Sequence, residues 1–144
     1  MPPSTRAWNP VPERLPAGLL DTSVVIDLDL IAADALPLAV AVSAITMAEL
    51  AAGPGAAQDL AERARRQDRL QRAEAAFEAI PFGSEAARAY GRVHAAVMAA
   101  GRQPRRRFAD LLIAAVAVAE GLPLITRNAD DFSGLDELLV VVSV

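Results

Sequence analysis

Several acidic side chains stand where their neighbours would not ordinarily tolerate them. Asp21 directly follows Leu19-Leu20, and Glu49 is the single charge between Val40 and Ala57. Asp110 heads an apolar run that carries no further charge until Glu120, and Asn128, Asp130 and Asp131 lie just beyond Leu122–Thr126. Carboxyl groups set in apolar segments are costly unless something pairs with them. A hard divalent cation such as Mg²⁺ or Mn²⁺ would do so, since both take oxygen ligands. One or two such ions can activate water and offset the charge that builds on a phosphodiester under attack. There is no cysteine, and the only histidine, His94, falls among Val93, Ala95, Ala96 and Val97, so no nitrogen or sulfur ligand set competes.

Each of these residues also has a plainer reading. Asp21 can cap the helix that follows it. Thr46-Met47-Ala48-Glu49 fits a capping box in which Glu49 reaches back to the backbone of Thr46. Asp110 in a first helical turn gains from the helix dipole with or without a metal, and Asp130 and Asp131 suit a turn. The case for chemistry rests on the set taken together.

The elements around them indicate how the set would be assembled. Leu19-Leu20 reads as the end of a short buried strand, followed by a turn at Asp21-Thr22-Ser23 and a helix over Val24–Leu30. A second strand is expected over Leu38–Val42, with a short helix from about Thr46 to Ala52 stopped by Gly53-Pro54. Helices are expected over Ala56–Glu78, from Ser84 to about Ala100, and over Phe108–Glu120. The last is apolar on every side and therefore buried. Ile80-Pro81-Phe82 reads as a weak edge segment, and Leu122–Thr126 and Leu138–Val142 suit a buried parallel sheet. Strands alternating with helices predict an α/β sandwich on a mostly parallel sheet of four or five strands. Asp21 and Asn128–Asp131 would then sit at the carboxyl ends of strands, the edge where open α/β sheets bind ligands.

Composition sets the outer limits. The 144 residues suit one domain over residues 18–144, after a proline-rich leader over residues 1–17 that reads as flexible. Hydrophobic residues make up 53% of the chain but aromatic ones only 4%, so Ala, Leu and Val must build the core. The longest apolar run without charge, Leu111–Ala119, is too short to cross a bilayer, and the N-terminus lacks a signal-peptide pattern, so the protein reads as cytoplasmic. The formal net charge is −4, so attraction to nucleic acid must come from a local patch. Every basic residue is Arg and none is Lys.

At this point the sequence resembles the PIN-domain family, and within it the VapC-type toxin ribonucleases of bacterial toxin–antitoxin pairs. Leu19-Leu20-Asp21-Thr22-Ser23-Val24-Val25-Ile26-Asp27 is similar to the family's opening motif, and Ser43-Ala44-Ile45-Thr46-Met47-Ala48-Glu49-Leu50 to its second. Asp110-Leu111-Leu112-Ile113-Ala114-Ala115 resembles the third, and Thr126-Arg127-Asn128-Ala129-Asp130-Asp131-Phe132 the fourth. Any one of these is common; all of them in family order are not. The resemblance implies a PIN-like three-layer α/β/α sandwich and Mg²⁺- or Mn²⁺-dependent endonucleolytic cleavage of RNA. It makes Asp21, Glu49 and Asp110 the acidic triad and Asp131 the fourth carboxylate, with Asn128 a polar helper. Asp21 and Asp110 would bind the metal, and Glu49 would hold or help deprotonate its water. Thr22, Ser23 and Thr126 would add hydroxyls, and crowding should raise at least one carboxyl pKa. Arg127, Arg105, Arg106 and Arg107 are candidate RNA contacts, although Arg102–Arg107 also reads as a solvated loop. The resemblance further implies a homodimer silenced by a cognate VapB-type antitoxin.

Other acid-bearing α/β folds fit less well. A phospho-receiver needs a Lys near its acids, and a P-loop needs a Gly-rich stretch ending in Lys; neither is present. A haloacid-type phosphatase needs Asp-x-Asp, and Asp21 is followed by Thr22 and Ser23. The remaining alternative is a PIN fold without catalysis, serving as a binding module.

Overall fold

The computed structural model describes residues 14–144, so the expected leader lies outside the described residues up to position 13. From Arg14 onward the chain is tied to the domain. The Arg14 guanidinium donates to the carbonyls of Leu36 (3.1 Å) and Ala33 (2.9 Å). Strand β1 (Ala17–Leu20) ends at Leu19-Leu20, as expected from sequence.

Four further strands complete the sheet: β2 (Ala39–Ser43), β3 (Ala79–Ile80), β4 (Leu124–Thr126) and β5 (Val141–Ser143). All pairings are parallel, in the order β3-β2-β1-β4-β5. Side chains alternate across the pleat, so neighbours on one strand serve opposite layers. Leu19 and Leu124 join one core with helices α4 (Ser84–Ala99) and α5 (Phe108–Glu120). Leu20, Val42 and Ile125 join the other, with α1 (Thr22–Ile26), α2 (Ala44–Ala52) and α3 (Leu60–Ala76). The result is the three-layer α/β/α sandwich expected from the alternation of strands and helices.

The first three helices differ from expectation in their bounds. Expected over Val24–Leu30, α1 runs from Thr22 to Ile26. Its β-branched Val24, Val25 and Ile26 are poor helix formers, and after Asp27 the chain tightens into a 3-10 turn over Leu28–Leu30. Helix α2 begins at Ala44, because Ser43 rather than Thr46 is its cap, with Ser43 Oγ accepting from the Thr46 N–H at 3.1 Å. Helix α3 begins at Leu60, where Asp59 accepts from the Glu62 N–H at 2.8 Å; Pro54–Ala56 form a separate 3-10 turn. Arg65 and Arg66 pair with Glu62, and Arg72 pairs with Asp68, as a solvated helix face would.

Helix α5 has the expected bounds, and Leu111 and Ile113–Ala117 are buried. It ends at Gly121 (φ 66°), whose N–H reaches the Val118 carbonyl while Leu122 N–H reaches that of Ala117. That closure lets β4 start three residues later, beside β1.

At the centre of the sheet, Gly18 permits a close approach that no other residue would. A Cβ there would lie 2.8 Å from Pro37 Cγ and 3.0 Å from Ile125 Cγ1. Gly18→Ala should therefore destabilise the fold by about 1–3 kcal/mol, the usual range for overpacking. Denaturant unfolding should show a lower midpoint with an unchanged slope; a wild-type midpoint would show that β1 has room to spare.

Candidate metal and active site

The sheet order places β1 between β2 and β4, so the chain leaves β1 toward one side and later returns on the other. Ligands bind open α/β sheets at such a reversal. Asp21 stands there, 3% exposed, with its N–H donating to the Ile125 carbonyl of β4 at 2.8 Å. Its side chain is clamped on one oxygen only. Ser23 Oγ donates to Asp21 Oδ2 at 2.8 Å and Thr126 Oγ1 donates to the same atom at 2.9 Å. Oδ1 is buried and has no hydrogen-bond partner.

The clamp is itself anchored by backbone. Arg127 N–H donates to Ser23 Oγ at 3.1 Å, and Asn128 N–H donates to Thr126 Oγ1 at 3.0 Å. Asn128 thus contributes its main chain, while its side chain makes no hydrogen bond among the described residues. Asp130 is exposed, and its carbonyl accepts from Arg102 and Ser133.

Thr22 holds the second carboxyl group. Its hydroxyl donates to Glu49 Oε1 at 2.7 Å and lies 3.0 Å from Thr46 Oγ1, which in turn lies 3.5 Å from Ser43 Oγ. Glu49 therefore faces Thr22 across the site and does not reach back to Thr46 as a capping box requires. Thr46 and Ser43, both fully buried, belong to this hydroxyl chain, and sequence reasoning did not place them there. The available signal was the overlap of Ser43-x-x-Thr46 with Thr46-x-x-Glu49 at the end of β2. It leaves Ser43 as the cap and Thr46 free to turn inward.

Asp110 enters from the first turn of α5. Its pKa is pushed up from its ordinary 3.8 to about 6, first by burial and then by the negative charges of Asp21, Asp131 and Glu49, with Arg107 opposing. The expected mutual repulsion of clustered acids is thus present at Asp110. Asp131 lies on the 3-10 turn Ala129–Phe132 after β4. Its Oδ1 is 2.6 Å from Arg107 Nη1, and the same nitrogen is 4.0 Å from Asp110 Oδ2. Arg107, one of the candidate RNA contacts, is here the counter-ion of the acidic cluster. Arg127 lies 3.5 Å from Asp27, and Arg105 and Arg106 are exposed.

Among the described residues, no three acidic or histidine side chains close around a common point as they would around a bound ion. Asp131 is turned toward Arg107. The donor chemistry nonetheless suits a hard cation: carboxyl oxygens, hydroxyls, and a buried Asp21 oxygen with nothing to bind.

Residues 18–138 match the sequence pattern of the PIN domain. The chain belongs to the PIN-domain family. It is 40% identical over 123 residues to Ribonuclease VapC5 of Mycobacterium tuberculosis, covering 83% of this chain and 88% of that one. The crystal structure of VapBC-5, a toxin–antitoxin system of the same organism, matches with a TM-score of 0.77 at 37% identity. That match covers 90% of this chain and 99% of the other. FitAcB from Neisseria gonorrhoeae matches at 0.65 with 26% identity, over 86% and 95% of the two chains. These likenesses place this PIN domain among VapC proteins, in keeping with the motifs around Asp21, Glu49, Asp110 and Asp131.

The raised Asp110 pKa has a consequence for stability in metal-free protein. An acid whose folded pKa lies above its unfolded value holds its proton more tightly in the fold. Its stabilising contribution is therefore full below about pH 4 and is lost as pH rises through about 6. Asp110→Asn should abolish that loss, gaining up to about 3 kcal/mol over wild type between pH 4 and pH 7. Parallel melting curves for the two proteins across that range would show that Asp110 is not so perturbed.

Proposed function

We propose that this chain is a divalent-metal-dependent endoribonuclease, acting in the cytoplasm as the toxin of a toxin–antitoxin pair. The observation that carries the reading is the unpartnered, buried Oδ1 of Asp21, set among Asp110, Glu49 and Asp131 at the sheet's reversal point. Further support comes from the ribonuclease name of its 40% identical relative and from the toxin–antitoxin system whose structure it matches.

The chain's own residues divide the work. Asp21 would offer Oδ1 to Mg²⁺ or Mn²⁺, because the hydroxyls of Ser23 and Thr126 hold Oδ2 and fix the carboxyl plane. Asp110 and Asp131 would add oxygens from α5 and from the turn after β4. When bound, the ion supplies an activated water and positive charge for the phosphodiester. Glu49, whose Oε1 accepts from the Thr22 hydroxyl, would serve as the proton acceptor of the site. Arg107 must release Asp131 for the carboxyl groups to converge, which frees its guanidinium for phosphate. A cognate VapB-type antitoxin would silence the site, and the toxin would work as a homodimer.

A second reading, a PIN fold used only for binding, draws on the Arg107–Asp131 pair and on the unconverged carboxyl groups. It leaves the Asp21 oxygen without a purpose, at a standing cost of about 1–3 kcal/mol for an unsatisfied buried acceptor.

The two readings separate on total bacterial RNA incubated with antitoxin-free protein and Mg²⁺ or Mn²⁺. Cleavage should yield discrete fragments, stop with EDTA, and fall more than about 100-fold in Asp21→Asn, since even outer-shell partners of metal ligands cost 10–100-fold. Intact RNA with a protein that shows no thermal response to either metal would favour the binding module.

A further inference from the structure

Beyond Asp131 lies a second feature that the acidic cluster does not use. A recess of about 740 Å³ opens between the end of α4, the turn Pro104–Arg107 and the turn carrying Asp131. That volume falls within the usual size of small-ligand sites, about 300–1,000 Å³. Three guanidinium groups line it, from Arg102, Arg106 and Arg107, in a protein whose net charge is −4. Val97 and Leu111 lie beneath it, almost wholly buried, and Gln103 and Ser133 add neutral polar groups.

The three arginines differ in what they have free. Arg102 commits Nη1 to the Asp130 carbonyl at 2.9 Å, which steadies the side chain and leaves its remaining N–H groups available. Arg107 reaches across to Asp131 and so marks the junction of recess and acidic cluster. Arg106 makes no side-chain hydrogen bond or ion pair among the described residues.

Arginine's planar fork matches phosphate oxygens bidentately. Neutral donors and acceptors beside it suit base edges and the ribose hydroxyl. A strand whose phosphodiester is held at Asp21 and Asp110 has to continue somewhere, and Asp131 and Arg107 border both spaces.

We infer that the recess is a nucleotide subsite, holding RNA on one side of the phosphodiester to be cut. Arg106 and Arg102 take a backbone phosphate, and Gln103 and Ser133 meet the polar edges of the same nucleotide. The inference rests on the ribonuclease reading above and adds to it the place and chemistry of substrate binding. An acidic protein segment would also answer the arginines, but it would leave the recess's position beside the acidic cluster unused.

The test is binding of a fluorescein-labelled single-stranded RNA dodecamer to the full chain in EDTA, followed by anisotropy over a range of salt. Arg106→Ala should weaken binding about ten-fold, the scale of one lost charge-assisted hydrogen bond. It should also lower the slope of log affinity against log salt by about 1. Arg106→Glu should weaken binding further, whereas Arg88→Ala and Arg92→Ala, on α4 outside the recess, should bind as wild type does. Melting temperatures of the Arg106 variants should match wild type, since the side chain has no partner to lose. Wild-type binding by both Arg106 variants, or equal losses in Arg88→Ala and Arg92→Ala, would overturn the proposal. So would an Arg106→Ala loss seen with polyglutamate and not with RNA. Mn²⁺-dependent cleavage of total RNA by the same preparations separates the failures. Cleavage with binding indifferent to Arg106 sinks the subsite alone; RNA neither bound nor cleaved by wild type sinks the ribonuclease reading with it.

Discussion

Half of the Asp21 carboxyl group is satisfied and half is not, and much of the domain is arranged around that asymmetry. Oδ2 accepts from Ser23 and Thr126, whose hydroxyl oxygens are in turn fixed by the backbone N–H groups of Arg127 and Asn128. Those residues belong to the segments after β1 and β4, so the clamp requires the two strands to lie side by side. The parallel pairing of Leu19 with Leu124 and Leu20 with Ile125 meets that requirement. Burial of Leu20 and Ile125 in one core and Leu19 and Leu124 in the other stabilises it from both faces. A buried carboxyl oxygen left bare amid so much order is what the proposed metal site would use.

The other carboxyl groups reach the same region from independent elements, and their proximity has an electrostatic cost. That cost falls on Asp110, where burial and three neighbouring acids raise the pKa to about 6. Arg107 offsets part of it by pairing with Asp131 and standing near Asp110. A cation so placed stabilises the metal-free fold and competes with any metal for the same oxygens. On the proposed metal-dependent reading, stability and activity pull on that side chain in opposite directions.

The sequence was most legible where one residue settled a local question. Gly121 ends α5 because the left-handed turn there favours glycine, and the apolar run before it could only be buried. Asp21 and Asp110 stood out because each adjoins an apolar run, Leu19-Leu20 for the one and Leu111–Ala119 for the other. Helix starts were harder to read, since Ser43 and Thr46 are both good caps and only the end of β2 decides between them. The same ambiguity hid the Thr22–Thr46 contact, which joins residues far apart in sequence through hydroxyls that carry no pattern. Arg107 could be assigned to a basic stretch but not to Asp131, because that pair depends on how α5 and the turn after β4 meet. The family motifs pointed to the acids and to the hydroxyls of Thr22, Ser23 and Thr126; those of Ser43 and Thr46 emerged only from the fold.

The central claim is that Asp21 anchors a divalent ion, and calorimetric titration of Mn²⁺ into metal-free protein tests it most directly. The account predicts saturable binding by wild type and loss of that binding in an Asp21→Asn variant that melts as a folded protein. Saturable binding of equal affinity in Asp21→Asn, or no binding by wild type at neutral pH, would contradict it.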